Sequence, residues 1–219
     1  MFRACLLLLA SAVLAGAQTN RTIQATGNAT LAVNPDQATL DIGVVTSAAT
    51  AQDSAQQNAT QTTAVLTAVK GVLGSSGTVQ TLYYSVMPRY TPNSSTINGY
   101  TTNNTLRATT TDLSILGKLI DAANGAGANT VGNLGFGLQD SDPSVQLALT
   151  AATKQATAHA NAIAAGLGGK AGAVISAQEG SSYTPIFAGQ GAGATAASTP
   201  VQTGTVNVYA TVTLVVQLQ

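Results

Sequence analysis

The sequence predicts an α+β fold: an antiparallel-rich sheet whose core, over residues 37–139, runs strand–helix–strand–strand–helix–strand, the split βαβ or ferredoxin-like order. Three observations predict it. A helical apolar period from about Ala51 to Leu73 stands between two period-two runs. From Leu82 to Leu138 the period passes from two to helical and back to two. The end of the chain, Val206 to Leu218, alternates aliphatic and polar residues without a break, so one face of that strand must be buried. An N-terminal hairpin strand, a third helix and this C-terminal strand are added to the core.

In chain order, Ile23, Ala25, Ala29, Leu31 and Val33 alternate with Thr22, Gln24, Asn28 and Thr30, a strand pattern. Asn34-Pro35-Asp36 reads as a turn. Ala38, Leu40, Ile42 and Val44 make the next strand, expected as the hairpin partner of the first. The helix that follows carries a stripe of Ala55, Ala59, Thr62, Leu66, Val69 and Leu73, and the run Gly74 to Gly77 ends it. Leu82, Tyr84 and Val86 then alternate with Thr81, Tyr83 and Ser85, which predicts a half-buried strand. Pro88, Pro92 and Asn93-Ser94-Ser95 mark a loop over 88–98. A Thr-rich strand comes next, with Tyr100, Leu106 and Ala108 on one side and Thr101, Thr105, Arg107 and Thr109 on the other.

Asp112 or Thr111 is placed to cap a helix with Leu113, Leu116, Ile120 and Ala123 on its apolar face, and Gly125 and Gly127 stop it. Leu134, Phe136 and Leu138 return to a period of two. Asp140, Asp142 and Pro143 open a third helix with a stripe of Ala152, Ala156, Ala160, Ile163, Ala164 and Leu167. Gly166, Gly168 and Gly169 end it. A short strand is expected at Val174–Ala177. Residues 180–203, rich in Gly, Ala, Ser, Thr and Gln, read as a flexible surface loop before the last strand.

Composition narrows the classes of function. The 219 residues fit one domain, 18–219, behind a leader at 1–17: Arg3 supplies a charged start, Leu6 to Leu9 an apolar run, and Ala15-Gly16-Ala17 a small-residue cleavage motif. That run is too short to span a bilayer, and no later segment qualifies as transmembrane. The leader pattern therefore predicts export from the cytoplasm. Cys5 is the one cysteine, so cleavage leaves no thiol for disulfides, catalysis or metal binding. Eight basic residues balance eight acidic ones, and no charged residue follows Glu179. With no basic stripe to neutralise phosphates, nucleic-acid binding is excluded.

The candidates for chemistry are few. His159 stands on the third helix without histidines or carboxylates at ligand spacing, and is read as a partly exposed helix residue. Asp140 and Asp142 fit a helix N-terminus better than a cation site. Gly189-Gln190-Gly191-Ala192-Gly193-Ala194 has the form of a dinucleotide fingerprint but neither its strand–helix context nor its acidic residue. Gly166 to Lys170 ends a helix instead of opening one, so it is no phosphate loop. Asn-x-Ser/Thr triplets begin at Asn20, Asn28, Asn58, Asn93 and Asn103 and are read as a product of composition. Arg89, Tyr90 and Tyr100 flank the Pro-containing loop and form the candidate contact surface, tyrosine and arginine being favoured at interfaces. No catalytic, cofactor or metal site is expected.

Several pieces, in this order and spacing, resemble the SIMPL-domain family of bacterial periplasmic or secreted proteins. They are Asn34-Pro35-Asp36-Gln37-Ala38, Ile97-Asn98-Gly99-Tyr100, Thr111-Asp112-Leu113, Gly127-Ala128-Asn129 and Phe136-Gly137-Leu138, then the Ala-rich helix closing on Leu167-Gly168, and Thr199-Pro200 to Gly204. The resemblance covers nearly all of residues 18–219. It implies no established enzymatic activity or cofactor, a link to oxidative-stress tolerance, and assembly into a homo-oligomer, since one member forms a ring. The leading expectation is a non-enzymatic protein acting by self-assembly in the cell envelope. The alternative is a module binding a peptide, glycan or small ligand through the 88–98 and 180–203 loops. A hydrolase with an unrecognised Ser or Asp centre is disfavoured by the lack of a Ser-His-Asp context and of clustered carboxylates.

Overall fold

The computed structural model describes residues 21–184, 186–187 and 199–219. The leader expected at 1–17, the Asn20 triplet, the Gly189–Ala194 motif and much of the 180–203 loop lie outside them. In chain order the elements are strands β1 (Thr22–Val33) and β2 (Gln37–Ala48), helix α1 (Ala51–Leu73), and strands β3 (Gly77–Tyr90) and β4 (Ile97–Thr110). One 3-10 turn at Leu113–Ile115 leads into helix α2 (Leu116–Gly125). Strand β5 (Thr130–Gly137), helix α3 (Asp142–Gly166), β6 (Ala171–Thr184), the short β7 (Ile186–Phe187) and β8 (Val206–Leu218) complete the chain.

The strands form two antiparallel sheets, β3-β4-β2-β5-β7 and β1-β8-β6. The first four strands of the five-stranded sheet have the predicted ferredoxin-like order. Leu40, Ile42 and Val44 of β2 and Leu106 and Ala108 of β4 pack there against Val65, Val69 and Leu73 of α1 and Leu119 and Ala123 of α2. The three-stranded sheet has a separate core, made with α3. The predicted alternation of β8 is borne out: Val206, Val208, Ala210, Val212, Leu214 and Val216 are all buried. No helix among the described residues is long and apolar enough to cross a membrane.

The expected β1–β2 hairpin does not form. β1 pairs along its whole length with β8, from Thr22 opposite Gln217 to Val33 opposite Val206. β2 takes β4 and β5 as its two neighbours. Asn34-Pro35-Asp36 instead carries the chain from one sheet to the other. Pro35 is buried, the Asp36 amide donates to the Gly137 carbonyl at 3.0 Å, and the Gln139 amide donates to Asp36 Oδ1 at 2.6 Å. The outgoing and returning connections are thus tied side by side. Alternation identifies a strand with a buried face but carries no information about which strand lies beside it.

Helix α1 has the predicted limits. The Thr50 hydroxyl caps it by accepting from the Asp53 amide at 3.1 Å, and Gly74 closes it at φ 52°, a conformation cheap only for glycine. Its buried face is rotated from the predicted stripe: Ser54, Asn58, Thr62, Val65, Val69 and Leu73 are buried, whereas Ala59 is exposed and Leu66 partly so. Asp112, one of the two predicted caps, caps the 3-10 turn instead of α2, its Oδ1 accepting from the Ser114 amide at 3.0 Å; α2 itself starts after Ile115 without a side-chain cap. Asn129, past the end of α2, extends the edge of β2, accepting from the Val45 amide at 2.9 Å and donating to its carbonyl at 2.7 Å.

Helix α3 buries Ala148, Ala152, Ala156, Ala160 and Ala164, one residue in every four. Ile163 and Leu167, expected on the same stripe, are 43% and 60% exposed. The reason is the closeness of the sheet. A Cβ built on Gly27 of β1 would collide with the Ala152 carbonyl and the Ala156 amide, so only the narrow alanine row of the helix fits against it.

Two loop boundaries also differ. β3 runs through Pro88 to Tyr90, and the turn is confined to 91–96, closed by the Thr91 amide donating to the Thr96 carbonyl at 2.9 Å. Proline is tolerated because β3 is an edge strand. The strand expected at Val174–Ala177 extends over Ala171–Thr184 and pairs with β8 as far as Thr184 opposite Asn207. The chain then adds β7 to β5. The Thr199 hydroxyl donates to Asp121 Oδ1 at 2.8 Å, and Val201 packs against the cluster of Ala38, Leu116 and Phe136. Backbone ladders need no apolar side chains, so a Gly/Ser-rich segment pairs where hydropathy suggests a loop.

Gly27→Ala is expected to lower stability by about 1–3 kcal/mol or more, because the obstacle is helix backbone and cannot swing aside. Gly166→Ala, with open space at its Cβ, should be neutral or stabilising by about 0.4–1 kcal/mol. Urea midpoints of the two variants, measured beside the parent chain, check both.

Candidate interaction surface at the β3 edge

β3 is the outer strand of the five-stranded sheet. At the opposite edge β5 is covered by β7. The β3 side chains Leu82, Tyr83, Tyr84, Val86, Met87 and Tyr90 are 37–56% exposed, and Ile97, across the turn, is 46% exposed. This corrects the expectation of a half-buried strand. Burial requires a covering layer, and α1 supplies one at the start of β3 only, where Val79 packs on the helical core. Farther along, β3 lies beside a polar neighbour: Tyr83, Tyr84, Ser85, Val86 and Met87 face Thr105, Asn104, Asn103, Thr102 and Thr101 of β4.

The predicted contact residues meet at the turn end of this strand. Arg89 lies opposite Gly99, Pro88 opposite Tyr100 and Tyr90 opposite Ile97. Arg89 and Tyr90 are exposed and Tyr100 is half-buried. Gly99 has φ 140°, and a Cβ there would press on the Ala48 carbonyl and meet the Arg89 guanidinium. The surface is thus larger than the three residues predicted. The signal for its extent is the adjacent pair Tyr83-Tyr84: neighbouring strand residues point to opposite faces, so two aromatics in succession make both faces apolar.

Under the first half of α1 lies a buried polar cluster that sequence reasoning missed. The Ser54 hydroxyl is 2.8 Å from the Thr102 hydroxyl, and the Thr46 hydroxyl donates to the Ser54 carbonyl at 2.8 Å. Asn58 Nδ2 donates to the Val44 carbonyl at 2.8 Å and to the Thr102 carbonyl at 3.3 Å. The Thr62 hydroxyl donates to Asn58 Oδ1 at 3.2 Å. Ser54, Asn58 and Thr62 continue the four-residue spacing of Val65, Val69 and Leu73. That regular row was the available signal, hidden because polar residues are ordinarily assigned to the wet face. With Asn58 wholly buried, its Asn-x-Thr triplet is a product of composition. Asn93, in the 91–96 turn, is exposed.

On the other face of the sheet, away from the helices, Arg107 donates to Asp41 in a bidentate pair, Nε to Oδ1 at 2.7 Å and Nη2 to Oδ2 at 2.9 Å. Asn133 Nδ2 donates to Asp41 Oδ2 at 3.1 Å from φ 49°, a conformation asparagine tolerates. The hydrogen bonds from Arg107 hold the Asp41 carboxyl below its ordinary range against the opposing effect of burial.

The remaining candidates stay apart. His159 Nδ1 donates to the Thr26 carbonyl at 2.7 Å and pins α3 to β1. Asp140 Oδ1 accepts from the Asp142 amide at 2.9 Å at the opening of α3. A depression along α1, walled by Asp53, Gln56, Gln57, Thr60, Gln61 and Ala64, is formed by residues of that helix alone. Among the described residues, no three His, Cys, Asp or Glu side chains gather as a metal site.

Asn58→Ala leaves the Val44 and Thr102 carbonyls without this donor, and is expected to cost about 1–3 kcal/mol. Ala59→Asn, on the exposed face, should cost no more than about 0.7 kcal/mol. Chemical denaturation distinguishes them. Because the folded-state pKa of Asp41 is depressed, its contribution to stability is fully present above the unfolded carboxylate value of about 3.9 and is lost as pH falls through the folded value. The parent should therefore exceed Asp41→Asn in stability near neutrality, and the gap should close as pH falls below about 4. Melts across an acid pH series measure that gap.

Comparison with known proteins finds a family model, SIMPL, described as a protein of unknown function (DUF541), that matches residues 23–216. No protein of curated function matches. The match runs from the start of β1 to the end of β8 and takes in both sheets. The pieces that carried the resemblance fall at the joints of this architecture: the crossing between sheets at Asp36, the cap at Asp112 and the edge mimic at Asn129. The chain is a member of the SIMPL family.

Proposed function

We propose that this chain is a secreted or periplasmic, non-enzymatic protein that works by self-association in the cell envelope. The observation that carries the reading is the apolar, uncovered edge at β3. Contiguous exposed apolar patches beyond a few hundred Å² mark interaction sites. Low charge supports it as well. Loss of Arg3 with the leader leaves seven basic and eight acidic residues, so repulsion between copies is weak. Export is supported by the leader pattern at 1–17, and a link to stress tolerance by the family resemblance alone. A second reading, a binding module for a peptide or glycan, is supported by the exposure of Arg89 and Tyr90 beside the 91–96 turn.

Sedimentation of the exported protein at micromolar concentration is expected to give one discrete mass, a whole multiple of the chain. Few charges take part, so that mass should persist up to about 0.5 M salt, where screening reaches only a few ångströms. A clean monomer throughout overturns self-association and leaves the binding module.

A further inference from the structure

Resting on that reading, we infer that two copies join through their β3 strands, antiparallel about a two-fold axis at Ser85, merging two five-stranded sheets into one. Among the described residues nothing pairs with the outer edge of β3, whereas at the other end of the sheet β7 pairs with Gly135 and Phe136 of β5. Proteins ordinarily protect such an edge with charges, especially lysine. Residues 77–88 carry none, and the only charge on the strand is Arg89.

The sequence of the edge is self-complementary about Ser85. Centring there sets Tyr84 opposite Val86 of the second copy and Tyr83 opposite Met87, each pair occurring twice by symmetry. Tyr84 and Val86 share the helix side of the sheet, as their β4 partners Asn104 and Thr102 do with Leu106. Tyr83 and Met87 share the other side. The first pair is aromatic against β-branched and the second is sulfur against aromatic, both favourable across strands. Centring on Tyr84 would set Tyr83 against Ser85. Centring on Val86 would set Ser85 against Met87 and Tyr84 against Pro88. A shift by one residue of one strand would put the two faces out of step. The two Arg89 side chains then lie eight residues apart along the ladder, about 26 Å at ~3.3 Å per residue, well beyond the ~8 Å screening length.

The size of the patch also fits a second copy. Tyr83, Tyr84 and Tyr90 are 47–55% exposed, which leaves about 100 Å² each on side chains of ~150–250 Å². With Leu82, Val86 and Met87, the exposed patch reaches the few hundred Å² that mark an interaction site. The irregularity between Thr81 and Tyr83 limits regular pairing to the stretch from Tyr83 onward.

Site-directed disulfide formation tests the register, in a Cys5→Ser background so that the introduced thiols are the only ones. Opposed residues of an antiparallel pair have Cα atoms about 4.5–5.5 Å apart, within the ~4.4–6.8 Å a disulfide spans. Under mild copper–phenanthroline oxidation at micromolar concentration, Ser85→Cys is expected to give a covalent dimer. Tyr83→Cys alone should give at least tenfold less, and an equimolar mixture of Tyr83→Cys and Met87→Cys should restore it. In parallel, Val86→Asp on an exposed position should halve the mass or reduce it to that of the monomer, with its melting transition retained. A discrete oligomer in which Ser85→Cys fails to cross-link and Val86→Asp has no effect overturns the β3 pairing while self-association stands. A monomeric parent overturns both.

Discussion

The antiparallel pairing of β1 with β8 closes the chain on itself, and the rest of the architecture depends on it. Thr22 lies beside Gln217, so the whole ferredoxin-like unit is an insertion between two neighbouring strands. The entropy of closing so long a loop rises only slowly with its length. The buried row Val206 to Val216 is large enough to offset it. Without β8 at the centre of the three-stranded sheet, β1 and β6 would have no partner and α3 no surface to rest on. The hydrogen bonds of Asp36 to Gly137 and Gln139 then keep the two connections of the insertion together.

The two units solve the same problem, a helix against a sheet, in opposite ways. α3 approaches by removing bulk: a row of alanines meets Gly27, and the polar side chains that reach β1, Gln155 and His159, stay exposed at the margin of the contact. α1 keeps polar side chains in the contact and satisfies them, with Asn58 bridging β2 and β4 and Ser54 reaching Thr102. The first contact is sensitive to any added atom. The second is sensitive to the loss of a donor, because buried carbonyls have no water to turn to. A chain without tryptophan and with 4% aromatic residues has few large side chains with which to fill thick interfaces, and both solutions follow from that.

The edges of the five-stranded sheet are treated unequally. β7 caps β5, and the chain after it is held to α2 through Thr199 and Asp121. Among the described residues, β3 keeps an unpaired outer edge with apolar side chains on both faces. The charged pair Asp41–Arg107 sits at the centre of the sheet, where its charges are satisfied by one another and by Asn133, and it leaves the outer strand uncharged up to Arg89. The polar face of the sheet and its apolar rim are therefore separate surfaces.

The sequence by itself determined the elements. The period of two or 3.6, Thr50 before α1, Gly74 after it, Asp112 before the 3-10 turn and the alternation of β8 are local signals, each set by backbone and capping chemistry within a few residues. Together they also led to the α+β class, the βαββαβ order and the family. The tertiary structure decided which surfaces meet. The partner of β1, the rotation of α1 that buries Asn58 instead of Ala59, the exposure of Ile163 and the bare stretch of β3 all depend on what another part of the chain brings alongside. The residues of the candidate surface were only partly legible for the same reason. Arg89, Tyr90 and Tyr100 stand out by type beside a proline turn, but Leu82, Tyr84 and Val86 have the pattern of a buried face. An apolar side chain is buried only where a second layer covers it, and α1 ends its cover at Val79.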